Sequence, residues 1–353
     1  MTGLTPARRG VDRSTAWRDD RAMGDTVTDE SSERRQKARR GLALYLGLTF
    51  TLSFGIEAWI IALGGSIDHH IGQVMLLMWT PSFASVVARL VLREGFGDVS
   101  LRLGGRKGLI GLLVALVFPI VVGLIAYGAA WTSGLSVFEP PGPGLLGLPH
   151  VPDLASFAVL LGLTATVGVP LSALSAAGEE FGWRGYMLTR LIDAGVPRPV
   201  LVSGVIWAGW HMPIIFSGQY ASSDTPVLSA GLFLIDVVAI AYVAARLRLE
   251  SGSVWPAVML HSAWNSIIQG AFDASTQHAG FWVGESGLFT ALVALALSAL
   301  YLRGRFVPVR RPDESMGEAR SGLTLRLHGA IRGICGIGRL GHDVDTRPRR
   351  WDP

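Results

Sequence analysis

Gly178-Glu179-Glu180-Phe181-Gly182-Trp183-Arg184 is the stretch on which the reading of this chain turns. Two adjacent carboxylates and an arginine follow a run from Leu154 to Gly178 that carries no charged residue. Ionisable groups are costly in hydrocarbon, and where they occur they face a bundle interior and mark function. Two later apolar segments carry His211 and His261, so three segments bring ionisable groups to depth.

The surroundings fit a membrane. Of 353 residues, 50% are hydrophobic and 16% charged, against roughly 25% charged in a soluble domain. Mean hydropathy is +0.40. Apolar runs fall at 41–63, 72–92, 108–131, 154–188, 199–217, 228–246, 254–271 and 286–303. Most match the about 20 residues that cross a bilayer as a helix, and the short alternating segments of a porin-type barrel are absent. The expected fold is an all-α, polytopic transmembrane bundle of about eight spans. Its domains are a basic, disordered cytoplasmic segment (1–40), the membrane domain (41–303) with its core at 154–271, and a basic cytoplasmic tail (304–353).

Charge sets the expected orientation. Arg34, Arg35, Lys37, Arg39 and Arg40 precede the first run, and Arg93, Arg102, Arg106, Lys107, Arg190, Arg198, Arg246 and Arg248 follow the even-numbered ones. The loops after odd-numbered runs hold no Lys or Arg, only acids such as Asp68, Glu139, Asp153, Asp224, Asp273 and Glu285. By the positive-inside rule both termini are cytoplasmic, and the net charge of +4 reports topology rather than nucleic-acid binding. A multi-pass protein of a bacterial inner membrane is expected, in contact with the lipid bilayer. The sequence sets no oligomeric state.

Depth follows from the same charges. Glu179 lies eleven residues from Arg190, roughly 16 Å; His211 lies thirteen from Arg198, roughly 20 Å; His261 lies eleven from Glu250, roughly 16 Å. These groups therefore meet at one level, and entry from the cytoplasm is expected. Spacing of four gives shared faces: Glu180 with Arg184, Trp207 with His211, and His261 with Asn265. Gly178 and Gly182 allow a neighbouring helix close approach. Pro170 is expected to break the over-long fourth run. Glu180–Arg184 can be a structural ion pair, and His69, His70, His150 and His278 fall in outer loops as incidental residues.

The chemistry such groups perform is hydrolysis. Glu179 can take a proton from a water that His211 orients, while His261 and Asn265 donate to the oxyanion. Alternatively Glu179, His211 and His261 form a two-His, one-Glu zinc set. A metal-free glutamate mechanism and a zinc mechanism both fit the spacing. No H-E-x-x-H or G-x-S-x-G is present, and the single Cys335 lies in the tail. Gly336-Ile337-Gly338-Arg339-Leu340-Gly341 follows no strand, so it does not read as a dinucleotide loop.

Glu179-Glu180-x-x-x-Arg184, Trp207-x-x-x-His211 and His261-x-x-x-Asn265 resemble the three motifs of the CPBP (CAAX protease and bacteriocin-processing) family, intramembrane proteases related to Ras-converting enzyme. Trp207 departs from the family's usual Phe. The resemblance implies an endopeptidase acting on peptide or protein substrates at the membrane, with Glu179 and His211 activating water, His261 and Asn265 stabilising the oxyanion, and Glu180, Arg184 and Trp207 in or beside the site. The other reading is a non-enzymatic immunity or scaffolding protein, or a proton-linked transporter using the same Glu and His.

Overall fold

The computed structural model describes residues 13–141, 153–221 and 225–303, with side chains from Ser32 onward. All of these belong to the first of two units, which divide at Phe306–Val307. His150, Cys335 and the Gly336–Gly341 pattern lie outside the described residues.

The chain forms α1 (Arg13–Leu63), α2 (Ile71–Val91), α3 (Gly105–Ser133) and α4 (Asp153–Asp193). Then come α5 (Pro199–Trp210), α6 (Met212–Phe216) and α7 (Pro226–Ser251). α8 (Trp255–Ala263) continues as a π-helix, Trp264–Phe272, and α9 is Leu288–Leu302. Extended structure among the described residues is one two-residue pair, β1 (Val137–Phe138) antiparallel to β2 (Thr276–Gln277). Helices satisfy their own backbone polar groups, which apolar sequence in lipid requires.

Among the described residues five helices are long and apolar enough to cross a membrane: Ser32–Leu63 within α1, then α2, α3, α4 and α7. The run at 199–217, expected as one span, is divided at His211. Pro213 has no N–H to continue the ladder, and α5 stops after 12 residues, a rise of about 18 Å against a core of roughly 30 Å.

Two further expectations are corrected. Residues 13–40, expected to lack structure, are the N-terminal part of α1. No proline interrupts Arg13 to Leu63, and Ala38 is already buried. Pro170 does not end α4. A π-turn at Thr164–Gly168 sits directly before it and widens the helix where the proline ring and its missing donor need accommodation.

α4 packs on α2, α1 on α2, α5 on α7, and α8 lies against both α3 and α4. The α2–α4 seam depends on the expected glycines. A Cβ at Gly182 would lie 2.4 Å from Pro81 Cβ, and one at Gly178 would lie 2.8 Å from the Met78 carbonyl oxygen. Ser82 Oγ donates to the Gly178 carbonyl across that seam.

The loops gather at two ends. At one, Arg190 pairs with Glu94 and Asp98, both at 2.9 Å, the buried Arg89 pairs with Asp98, and Arg34 pairs with Asp193 at 2.8 Å. At the other, Ile67 N–H donates to the Gln219 carbonyl, β1 pairs with β2, Tyr127 donates to Asp273 and Tyr220 to Glu285. No lysine or arginine stands in the loops of this second end.

Candidate active site

Glu179, Glu180 and Arg184 are buried on α4, at 1%, 0% and 1% exposure. That burial leaves little room for solvent screening, so each charge is governed by its nearest neighbours. The helix carries them past Gly182 and then opens into a π-turn at Trp183–Met187. Such turns are uncommon and collect at functional positions. A second one, in α8, begins three residues after His261 and contains Asn265.

Neighbouring carboxylates point different ways. Glu180 Oε1 accepts from Arg184 Nη1 at 2.6 Å and from His261 Nδ1 at 3.0 Å. Glu179 Oε2 accepts from two indole N–H groups, Trp183 at 3.0 Å and Trp207 at 2.8 Å. Its Oε1 is left facing His261 Nε2, 3.9 Å away. The Arg184 guanidinium also lies over the Trp207 ring, 4.2 Å from its centre. Trp207 thus does what a phenylalanine there cannot: it donates to one acidic residue while its face holds the cation paired to the other.

Both histidines have one nitrogen committed. A carboxylate or a carbonyl only accepts, so Nδ1 of His261 donates to Glu180, and Nδ1 of His211 donates to the Trp207 carbonyl at 2.9 Å. Each Nε2 is free for other use. His211 caps the end of α5, its ring set edge-on to Trp210 (4.7 Å) and Phe233 (4.9 Å).

Glu179, His211, His261 and Asn265 line one cavity of about 130 Å³. The convergence read from the three motifs is present. A larger space of about 560 Å³ shares Ile67, Asp68, Tyr220, Asn265 and Gln269 with it. This space is walled by loops of the end that has no lysine or arginine, including Asp273 and Glu285. Entry was expected at the arginine-rich end, and the structure places the opening at the other. Depth was counted for each group from the arginine-rich end alone; 16 to 20 Å from one face of a roughly 30 Å core is as near to the opposite face.

The set Glu179, His211 and His261 does not fit zinc as placed. Among the described residues no three His, Cys, Asp or Glu stand in a metal-holding group. Tetrahedral zinc with bonds of about 2.0–2.2 Å would hold a nitrogen and an oxygen about 3.4 Å apart, whereas His261 Nε2 and Glu179 Oε1 are 3.9 Å apart.

Other polar groups were missed in the sequence. Glu57 of α1 is buried and lines the same cavity. It ends a stripe of buried polar residues at helical spacing, Tyr45, Thr49, Ser53 and Glu57, which the spacing itself could have revealed. Asp236 of α7 is buried beside a space of about 30 Å³ that it shares with His211, His261 and Asn265. Trp183 carried no signal beyond its place four residues after Glu179.

Residues 146–267, which contain all three motifs up to Asn265, match the Rce1-like family model, described as type II CAAX prenyl endopeptidase Rce1-like. That stretch of the chain is similar to the CAAX protease family. No curated protein matches the chain. That family is one of proteases, which implies peptide or protein substrates, and the membrane-length helices support a multi-pass membrane protein.

Proposed function

We propose that the chain is an intramembrane endopeptidase of the cell membrane that hydrolyses peptide bonds with water activated by Glu179. The observation that carries this is the 3.9 Å between Glu179 Oε1 and His261 Nε2. The gap is too long for a direct hydrogen bond and suits one bridging water. Glu179 takes a proton from that water, and the hydroxide adds to the peptide carbonyl carbon. The Asn265 amide donates to the oxygen as it gains charge. His261 Nε2 accepts the water's second hydrogen, while His211 lines the same cavity beside it. Glu179 then returns its proton to the departing nitrogen as the C–N bond breaks. Relative to the sequence reading, His261 moves from the oxyanion to the water, because Glu180 fixes its Nε2 as an acceptor. This route needs no metal.

The arginine-rich end is proposed to face the cytoplasm, as positive charge in short loops does. All eight apolar segments would then count as crossings, with α5 and α8 short ones inside the bundle. The site consequently opens to the outer face, and its substrates are peptides or protein segments reaching it from that side.

The test is cleavage of a fluorogenic peptide library by purified protein in detergent, wild type beside Glu179→Gln, with elemental analysis of both. Loss of turnover by about 10²–10⁴ in a folded Glu179→Gln is expected, with activity resistant to strong chelators. Near-wild-type cleavage by Glu179→Gln would sink the proposal. Stoichiometric zinc that is lost with His261→Ala would move it to the metal route.

A further inference from the structure

Glu57 is 1% exposed on α1, and neither of its carboxylate oxygens has a hydrogen-bond partner among the described residues. Other acids near it are supplied: Glu180 by Arg184 and His261, and Glu179 by Trp183 and Trp207. An unpaired buried carboxyl is costly, and it persists where a partner arrives from elsewhere. Asp236 also has one unpartnered oxygen, but the space beside it is about 30 Å³, the share of a single water. Glu57 instead lines the cavity of about 130 Å³ that holds Glu179 and His261, a volume with room for a side-chain head group.

The surroundings favour a positive one. Among the described residues no lysine or arginine lines this cavity or the larger space that shares residues with it. Arg184, the guanidinium beside the site, is held by Glu180 and by the Trp207 ring. Asp68, exposed, lines both spaces, and Glu57 lines the smaller one. A low-dielectric cleft lined by one sign of charge concentrates ligands of the other.

We propose that Glu57 is the floor of a substrate subsite that seats a lysine or arginine side chain of the peptide being cut, next to the water-activating pair. The subsite makes the enzyme selective for cationic peptides that enter from the Asp68 side. Glu57 is a specificity residue and takes no part in the hydrolysis itself. The inference rests on the peptidase reading for its consequence, while the binding it asserts can be measured without turnover.

The experiment uses full-length protein in detergent and N-acetylated fluorogenic octapeptides, so that no terminal amine competes, with lysine, arginine, norleucine or glutamate at each position in turn. Wild type should favour lysine or arginine over norleucine at one position by more than tenfold in kcat/KM. Glu57→Gln, isosteric and neutral, should erase that preference, so that lysine, arginine and norleucine peptides are cleaved with kcat/KM values within about twofold of one another. It should fold at least as well, since it removes an unpaired acid. In parallel, affinity for the lysine octapeptide is measured on Glu179→Gln with and without Glu57→Gln; a tenfold loss in the double variant is expected. A preference that survives Glu57→Gln, or no preference in wild type, overturns the subsite and leaves the peptidase standing. If no peptide is cleaved, the peptidase reading fails, and the binding arm alone decides the subsite: equal affinities overturn it.

Discussion

At the arginine-rich end Asp98 lies between Arg89 and Arg190, whereas at the opposite end Asp273 and Glu285 receive only neutral donors, among them Tyr127 and Tyr220. The consequences are opposite in sign. Burial works to raise the Asp98 carboxyl, but the two guanidinium groups hold it below its ordinary value. Burial raises Asp273 to about 7, against the Tyr127 hydrogen bond, and raises Glu285 also. One end is a set of matched charges that locks loops together. The other keeps unmatched acids around an opening, which is what a ligand-receiving surface needs and a packing surface avoids. The lesson is that charge without an ion partner, rather than charge as such, separates the end with the opening from the opposite one.

The comparison can be broken outright by topology. Cysteines at Ser133 and Lys107 stand at opposite ends of α3, both exposed. A membrane-impermeant thiol reagent on intact cells should label Ser133→Cys fully and Lys107→Cys not at all. The reverse pattern would put the opening in the cytoplasm and the arginines outside.

Glu180, at mid-bundle, follows the matched pattern, and its variant should show the next largest effect. Glu180→Gln leaves Arg184 buried without its ion partner, a change that costs about 3–5 kcal/mol when a pair is fully desolvated. Thermal stability in detergent should fall accordingly, and turnover should fall too, because His261 loses the carboxylate that fixes its ring. Glu180→Gln with Arg184→Met should recover part of the stability and none of the turnover. A Glu180→Gln protein as stable as wild type would mean that the pair is not desolvated.

The smallest effect sharpens the contrast through pH. Asp273 has its folded value raised from the ordinary 3.8 to about 7. Its contribution to stability is therefore complete below about 3.8 and is lost as pH rises through about 7. Asp98 runs the other way: its value is lowered, so its contribution is present above its ordinary value and lost on acidification. The thermal midpoint between pH 5 and pH 8 should decline in wild type by a few degrees more than in Asp273→Asn. Parallel curves would show that Asp273 is not held protonated by its site.

Much of this was legible in residue order. The apolar runs, the alternation of loop charge, the Glu180–Arg184 pair and the sharing of a face by Trp207 and His211 are local, set by rise and by residues per turn. The small-residue seam at Gly178 and Gly182 was legible for the same reason, although its partner, Pro81, was not. The failures at Pro170 and at 199–217 share a cause: a π-turn can absorb one proline, while Pro213 beside the site ends a helix. Glu57 is legible in its spacing to Tyr45, Thr49 and Ser53, but a lone acid in the first span forms no motif with its sequence neighbours, and only contacts between helices bring it to Glu179.

The sequence by itself determined that the chain is a helical membrane protein, that its polar groups lie at matched depth, and that their motifs are those of a protease family. Only the tertiary structure decided that Glu179 is held by two indoles while Glu180 serves His261, that Glu57 joins them, and that the cavity opens at the end without arginine. The physical reason is range. Periodicity fixes what neighbours along one helix share, whereas which acid meets which donor, and which end stays open, depends on contacts between helices far apart in the chain.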